Sequence, residues 1–189
     1  MSSKTVLARA IEVVAFLFAA FGHALVNIAP PEEGDTTFAV GIGSLLALCV
    51  LLFISAVSKN LPRRKFKRRW LLAAGVFFAV TLTSVFFYFS NLNTYTFRYP
   101  PETLVDVHIG GGEAFTPLAQ DRRTMIPNEP VASLVSAFGG VEYRERVWTD
   151  ESLRDARMIL TVNYVLLVLS LAATIFCLTE GILVDPRPK

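Results

Sequence analysis

The chain has 189 residues, 53% of them hydrophobic and only 18% charged, with a formal net charge of +2. Four apolar runs, each about 20 residues long, exceed what a soluble domain of this size buries and place the chain among polytopic membrane proteins. All five lysines (Lys4, Lys59, Lys65, Lys67, Lys189) fall near the ends or in one short loop, whereas residues 92–156 hold no lysine, six arginines and ten acids. The segments so divided are expected on opposite sides of a membrane.

The first run, Ala10–Ala29, follows Lys4 and Arg9 and precedes an acidic turn, Pro30-Pro31-Glu32-Glu33-Gly34-Asp35. A cleaved secretory signal ending near Gly22-His23-Ala24 is the rival reading. The length of the run, and His23 and Asn27 one helical turn apart, favour a retained span. Glu12, near the inner end, shares their face.

A second span over residues 37–58 leads to the stretch that orients the chain. Between Lys59 and Arg69 stand seven basic residues, Lys59, Arg63, Arg64, Lys65, Lys67, Arg68 and Arg69, and no acid. A short loop this basic is retained on the cytoplasmic side, and such a cluster also attracts anionic lipid headgroups. Only Phe66 and Trp70 are aromatic nearby, so no nucleic-acid partner is expected.

The third span runs outward over residues 70–90, from Trp70 to the interfacial aromatics Phe86-Phe87-Tyr88-Phe89. The fourth, about Met158–Leu183, returns inward with Glu180 near its inner boundary. This predicts three spans in residues 1–91, an extracytoplasmic α+β domain over 92–156, and the fourth span with a short tail over 157–189. Both termini are then expected in the cytoplasm, the membrane being a bacterial cytoplasmic membrane.

Within the long outer loop, Thr94–Tyr99 alternates as a strand, and Leu104–Ile109 is a second strand stopped by Gly110-Gly111-Gly112. Pro130–Phe138 carries Val131, Leu134, Val135 and Phe138 at helical spacing. Val141–Trp148 alternates once more. Thr149 is a candidate N-cap, with Asp150 and Glu151 where the helix dipole favours acids. That helix is expected to continue unbroken into the fourth span and so to hold the outer domain rigidly.

Chemistry-bearing motifs are scarce. There is no cysteine pair at metal spacing, no nucleophile elbow and no phosphate loop. No catalytic residue, metal or cofactor is expected, and Asp106 and His108 read as a surface pair. Cys49 and Cys177 read as small buried hydrophobes. Polar groups inside the spans are more telling. Counted from the outer helix ends, His23, Ser44, Ser84 and Asn163 all lie roughly 10 Å deep. Asn27 shares the face of His23, and Thr81 that of Ser84, which suggests one polar layer facing inward. Glu12 and Glu180 form a second, inner-boundary pair able to reach the basic loop.

The layout of four spans, with the larger outer loop between the third and fourth, is shared with tetraspanins, but their Cys-Cys-Gly motif and loop disulfides are absent. Small bacterial membrane effectors share the same size and layout. Two readings follow. One is a non-enzymatic homo-oligomer that forms a pore or disrupts the membrane, as in bacterial defence. The other is a membrane-anchored sensor, scaffold or immunity-type protein that binds a protein partner through its outer domain.

Overall fold

A computed structural model describes residues 11, 12, 15, 37–58, 63–99 and 107–182, and these are mostly helical. They comprise α1 (Thr37–Ser58), α2 (Arg63–Tyr95), β1 (Thr96–Tyr99), β2 (Val107–Gly110), α3 (Pro117–Met125), α4 (Val131–Ala137), a 3-10 helix (Val141–Arg146) and α5 (Asp150–Ile182). They divide into two compact units, one of Thr37–Phe87 with the stretch from Asn163 onward, the other of Tyr88–Val162.

Two helices are long and apolar enough to cross a membrane, Lys67–Tyr95 and Asp150–Ile182, while α1 contributes a shorter apolar stretch, Gly41–Ile54. Only 17% of the α2 stretch is buried, against 50% for α5. α5 is therefore the helix the others pack on. α1 meets it through Gly43, Ala47 and Leu51, one turn apart and all buried. A Cβ on Gly43 would lie 3.8 Å from both Tyr164 and Val168. α2 meets α5 antiparallel: Trp70 stacks edge-on to Phe176 at 6.2 Å, and Leu71 lies over Gly181. The outward face of α2 is Leu72, Val76, Phe78, Leu82 and Phe86, all exposed.

Several expectations are corrected here. The basic stretch is not wholly a loop, because α2 is already helical from Arg63. The expected strand at Thr94 begins two residues later. Thr94 Oγ1 donates to Ser90 O (3.0 Å) and Thr96 Oγ1 to Leu92 O (2.6 Å), which satisfies carbonyls of the last turn and carries the helix to Tyr95. Cys49 is exposed, since it faces away from the Ala47–Leu51 seam, while Cys177 is buried as expected.

The second unit is built on a two-stranded antiparallel sheet, with Phe97 opposite Ile109 and Thr96 opposite Gly110. Its core is Ala119, Leu134, Val135, Val147 and Trp148. Trp148 lies between Phe97 (5.3 Å) and Phe115 (5.9 Å). α3 went unpredicted although its signals are present: Thr116 caps it by accepting from Ala119 N–H, and Pro117 opens its first turn. α4 forms where expected. Val141–Arg146, expected as a strand, is instead a 3-10 helix. Gly139 and Gly140 both take positive φ (107° and 95°), so the chain turns tightly there, and Tyr143 N–H reaches back to Gly140 O (3.1 Å). Val141, Arg144 and Val147, three apart, then face inward, which is the 3-10 repeat. α5 begins as expected, Ser152 N–H donating to Thr149 Oγ1 (3.4 Å), and runs without interruption to Ile182.

Two glycines admit the tryptophan. A Cβ on Gly111 would come 3.1 Å from the indole, and one on Gly112 would come 2.6 Å from Ser152 Oγ. Ser152 cannot swing aside without cost, because its hydroxyl accepts Glu113 N–H (2.6 Å) and Ala114 N–H (2.9 Å). Gly112→Ala is therefore expected to destabilise the chain by about 1–3 kcal/mol through overpacking. Thermal unfolding in detergent measures it, and an unchanged Tm would show that the site has slack.

Candidate functional site

Two regions place polar groups where chemistry or recognition can occur. The first is a hydroxyl seam between α2 and α5. Thr81, Ser84, Ser170 and Thr174 are all buried. Thr81 Oγ1 donates to Phe77 O (2.8 Å), Thr174 Oγ1 to Ser170 O (2.8 Å) and Ser170 Oγ to Leu167 O (3.0 Å). Across the seam Thr81 Oγ1 and Thr174 Oγ1 are 3.4 Å apart. Each of these three hydroxyls returns a hydrogen bond to its own helix, which lets it sit in an apolar setting without a water partner.

Of the other residues singled out in the sequence, Ser44 on α1 and Asn163 on α5 are half-buried. His23, Asn27 and Lys59 lie outside the described residues, as does Asp106 of the Asp106–His108 pair. Glu12 is helical and exposed, and Glu180 is half-buried on α5. Lys67, Arg68 and Arg69 are exposed on the first turns of α2, where Arg63, Arg64 and Lys65 are also helical. The Thr81–Thr174 contact sets the register of the two helices. Three residues from Thr81, Ser84 comes near the level of Ser170, whereas Asn163 lies eleven residues from Thr174, roughly 16 Å along the helix at 1.5 Å per residue. Ser170 and Thr174 were missed, although their spacing from Asn163, seven and then four, marks one helical face.

The second region is the surface of the sheet-containing unit. Arg122 and Glu129 form a bidentate pair, with Nε to Oε2 and Nη2 to Oε1 both 2.9 Å. Arg123 lies over Phe115 (4.5 Å) and Arg146 over Tyr143 (4.4 Å). Arg144 is buried at 8% exposure and donates to Gly110 O (3.3 Å). An open groove of about 480 Å³ carries Glu113, Glu151 and Asp155, and another of about 530 Å³ carries Gln120, Arg123 and Asn128. Among the described residues no three of His, Cys, Asp and Glu gather to hold a metal ion.

The chain matches no family model, no curated protein and no solved structure. Its own geometry must carry the functional argument.

Two measurements test the roles assigned. The hydrogen bond from Arg122 holds the Glu129 carboxyl below its ordinary value of 4.5, and holds the Arg122 guanidinium above its own. A carboxylate lowered in the folded state contributes its full stabilisation above the ordinary value and loses it as pH falls through the lowered one. Glu129→Gln should therefore flatten the acid limb of the Tm–pH curve below pH 4.5, and an unaltered limb would contradict the assignment. Thr81→Val keeps the shape and removes the hydroxyl. Its expected cost is about 0.6 kcal/mol, the usual worth of a hydrogen bond between membrane helices, read from unfolding in mixed micelles. A loss several times larger would show that the hydroxyl is more than packing.

Proposed function

We propose that the protein is a non-enzymatic integral membrane protein of four spans that acts by homo-oligomeric assembly in a bacterial cytoplasmic membrane. In this reading residues 10–29 form the first span and α1, α2 and the later part of α5 the others. Residues 92–156 lie outside the cytoplasm and both termini inside. The observation that carries the reading is the orientation of α2. Leu72, Val76, Phe78, Leu82 and Phe86 point outward, while Thr81 and Ser84 point inward. Water would favour the reverse, and lipid favours this.

Assembly into a membrane-breaching effector is the fuller form of the proposal. The hydroxyls on α2 and α5 are engaged within one chain, so an ion path would run between copies or along His23, Asn27 and Asn163. Partner binding by the outer unit is the second reading. It is favoured by the grooves beside Glu113 and by the exposure of Leu118 and Met125 on α3, at 69% and 80%.

Expression in bacteria loaded with a potential-sensitive dye separates the two. An effector depolarises the cell, and His23→Leu and Asn163→Leu each abolish the effect while the chain still inserts. A polarised cell, with residues 92–156 retaining a specific protein from outside, selects the second reading. The topology is tested by single-cysteine labelling with Cys49 and Cys177 replaced. An impermeant maleimide should label Gln120→Cys, which is exposed, and spare Asn60→Cys. The opposite pattern overturns the orientation.

A further inference from the structure

α3 carries two adjacent arginines with different tasks. Arg122 holds Glu129 through the bidentate pair. It thereby fixes the turn after α3, where Glu129 N–H reaches Ile126 O (3.3 Å) and Asn128 takes φ 72°. Asparagine is among the few side chains that accept this left-handed backbone. Arg123 lies instead over Phe115 (4.5 Å), Phe115 is stacked on Trp148 (5.9 Å), and Trp148 packs against Phe97 (5.3 Å). The guanidinium thus caps a column of rings rooted in the core of the unit. A planar cation held on a ring keeps its N–H edge free to donate sideways.

The groove of about 530 Å³ is lined from both of these fixed pieces, by Phe115 and Arg123 and by Pro127 and Asn128, with Glu113 and Gln120 adding to its polar wall. Its shape is therefore largely set before any ligand arrives, as is usual for binding sites. Two opposite charges line it. Among the described residues, neither Arg123 nor Glu113 forms an ion pair. Arg123 stays on its ring instead of crossing to the carboxylate. A groove that keeps a cation and an anion apart is complementary to a molecule that carries both charges itself. An acid without an amine would bring a second negative charge beside Glu113, and an amine without an acid a second positive charge beside Arg123.

We infer that this groove is a binding site for a small zwitterion of the α-amino-acid class, its carboxylate on the Arg123 edge and its ammonium on Glu113. The two oxygens of a carboxylate match the parallel N–H groups of a guanidinium, which makes the contact bidentate. The ammonium only donates and the Glu113 carboxylate only accepts, so the second contact is matched as well. Gln120 and Asn128 add amides that both donate and accept, which suits a polar side chain on the ligand. Phe115 is already engaged by Trp148 and Arg123, so recognition rests on charge and amide contacts and not on ring stacking. The inference depends neither on the number of spans nor on assembly, so it stands or falls separately from the function proposed above.

The test uses the full chain in neutral detergent at constant pH and ionic strength, with Tm followed by tryptophan fluorescence. L-serine, L-glutamine and L-leucine are titrated one at a time. A saturable rise of about 4 °C at ten times Kd is expected with at least one of them for a chain of this size. The N-acetyl and methyl ester forms of that amino acid each lack one charge and should give no saturable rise. Arg123→Gln and Glu113→Gln should each abolish the rise. Glu113→Gln should leave the ligand-free Tm within about 1 °C, because Glu113 is exposed and substitutions there cost little. Arg123→Lys keeps the charge without the paired N–H edge and should weaken binding by about tenfold. No saturable rise with any of the three, an equal rise in wild type and either Gln variant, or an equal rise with either blocked form overturns the site.

Discussion

The apolar unit rests on one constraint: a hydroxyl placed among hydrocarbon must find its acceptor within the protein. Thr81, Ser170 and Thr174 meet it by bonding to carbonyls one turn back on their own helices. This local solution leaves the helix surfaces effectively smooth. α2 and α5 can then approach along a line of small residues, Ala74, Thr81 and Ser84 on one and Ser170, Ala173 and Thr174 on the other, all buried. Close approach raises dispersion contact where no hydrophobic drive operates between helices in lipid. The large residues are thereby displaced to the outside of α2, where Phe78 and Phe86 stand exposed.

The sheet-containing unit solves a different problem, since a domain of this size has little core to share. It gathers that core around one indole. Phe97 from β1, Phe115 from the bridge opposite Trp148, and the helix residues Leu134 and Val135 all close on it. The glycines at 111 and 112 are the counterpart of that choice, because a Cβ at either position would press on Trp148 at 3.1 Å. The Gly110-Gly111-Gly112 run therefore serves packing at two of its positions and strand pairing at the first, where Gly110 faces Thr96.

Much of the helical content was legible because its signals are local and redundant. Thr149 with Asp150 and Glu151 marked the start of α5, and Pro130 with Gly139 bracketed α4. The apolar length of α2 was equally plain, though not its ends. At Tyr95 two threonine hydroxyls extend the helix through a stretch whose alternation looked like a strand, and alternation over so few residues cannot distinguish the two. Val141–Arg146 failed for a related reason: a period of three and a period of two share enough positions over eight residues to be confused. The hydroxyl seam was half visible. Thr81 and Ser84 stood out because α2 is otherwise so apolar, while Ser170 and Thr174 were hidden among Ala172 and Ala173. Depth counted from the helix ends puts Asn163 level with Ser84, whereas the Thr81–Thr174 contact brings Ser84 near Ser170. The groove shared by Glu113 and Arg123 was not legible at all, since the turn into α3 lies between them.

The helical start of α2 alters the mechanics of its basic end. A flexible loop presents its charges as a cloud that rearranges around whatever it meets. Lys67, Arg68 and Arg69 instead project from a rod at steps of about 100°, so they are spread over more than half of its circumference. The apolar and interfacial stretch of that rod, Lys67–Tyr95, is 29 residues long, about 44 Å at helical rise and well beyond a 30 Å hydrocarbon layer. In a bilayer such a rod matches thickness by leaning, and its collar of cations resists being drawn under the headgroups. Bilayers of different thickness would then differ in the inclination of one stiff element, whereas a loop at the same position would simply rearrange.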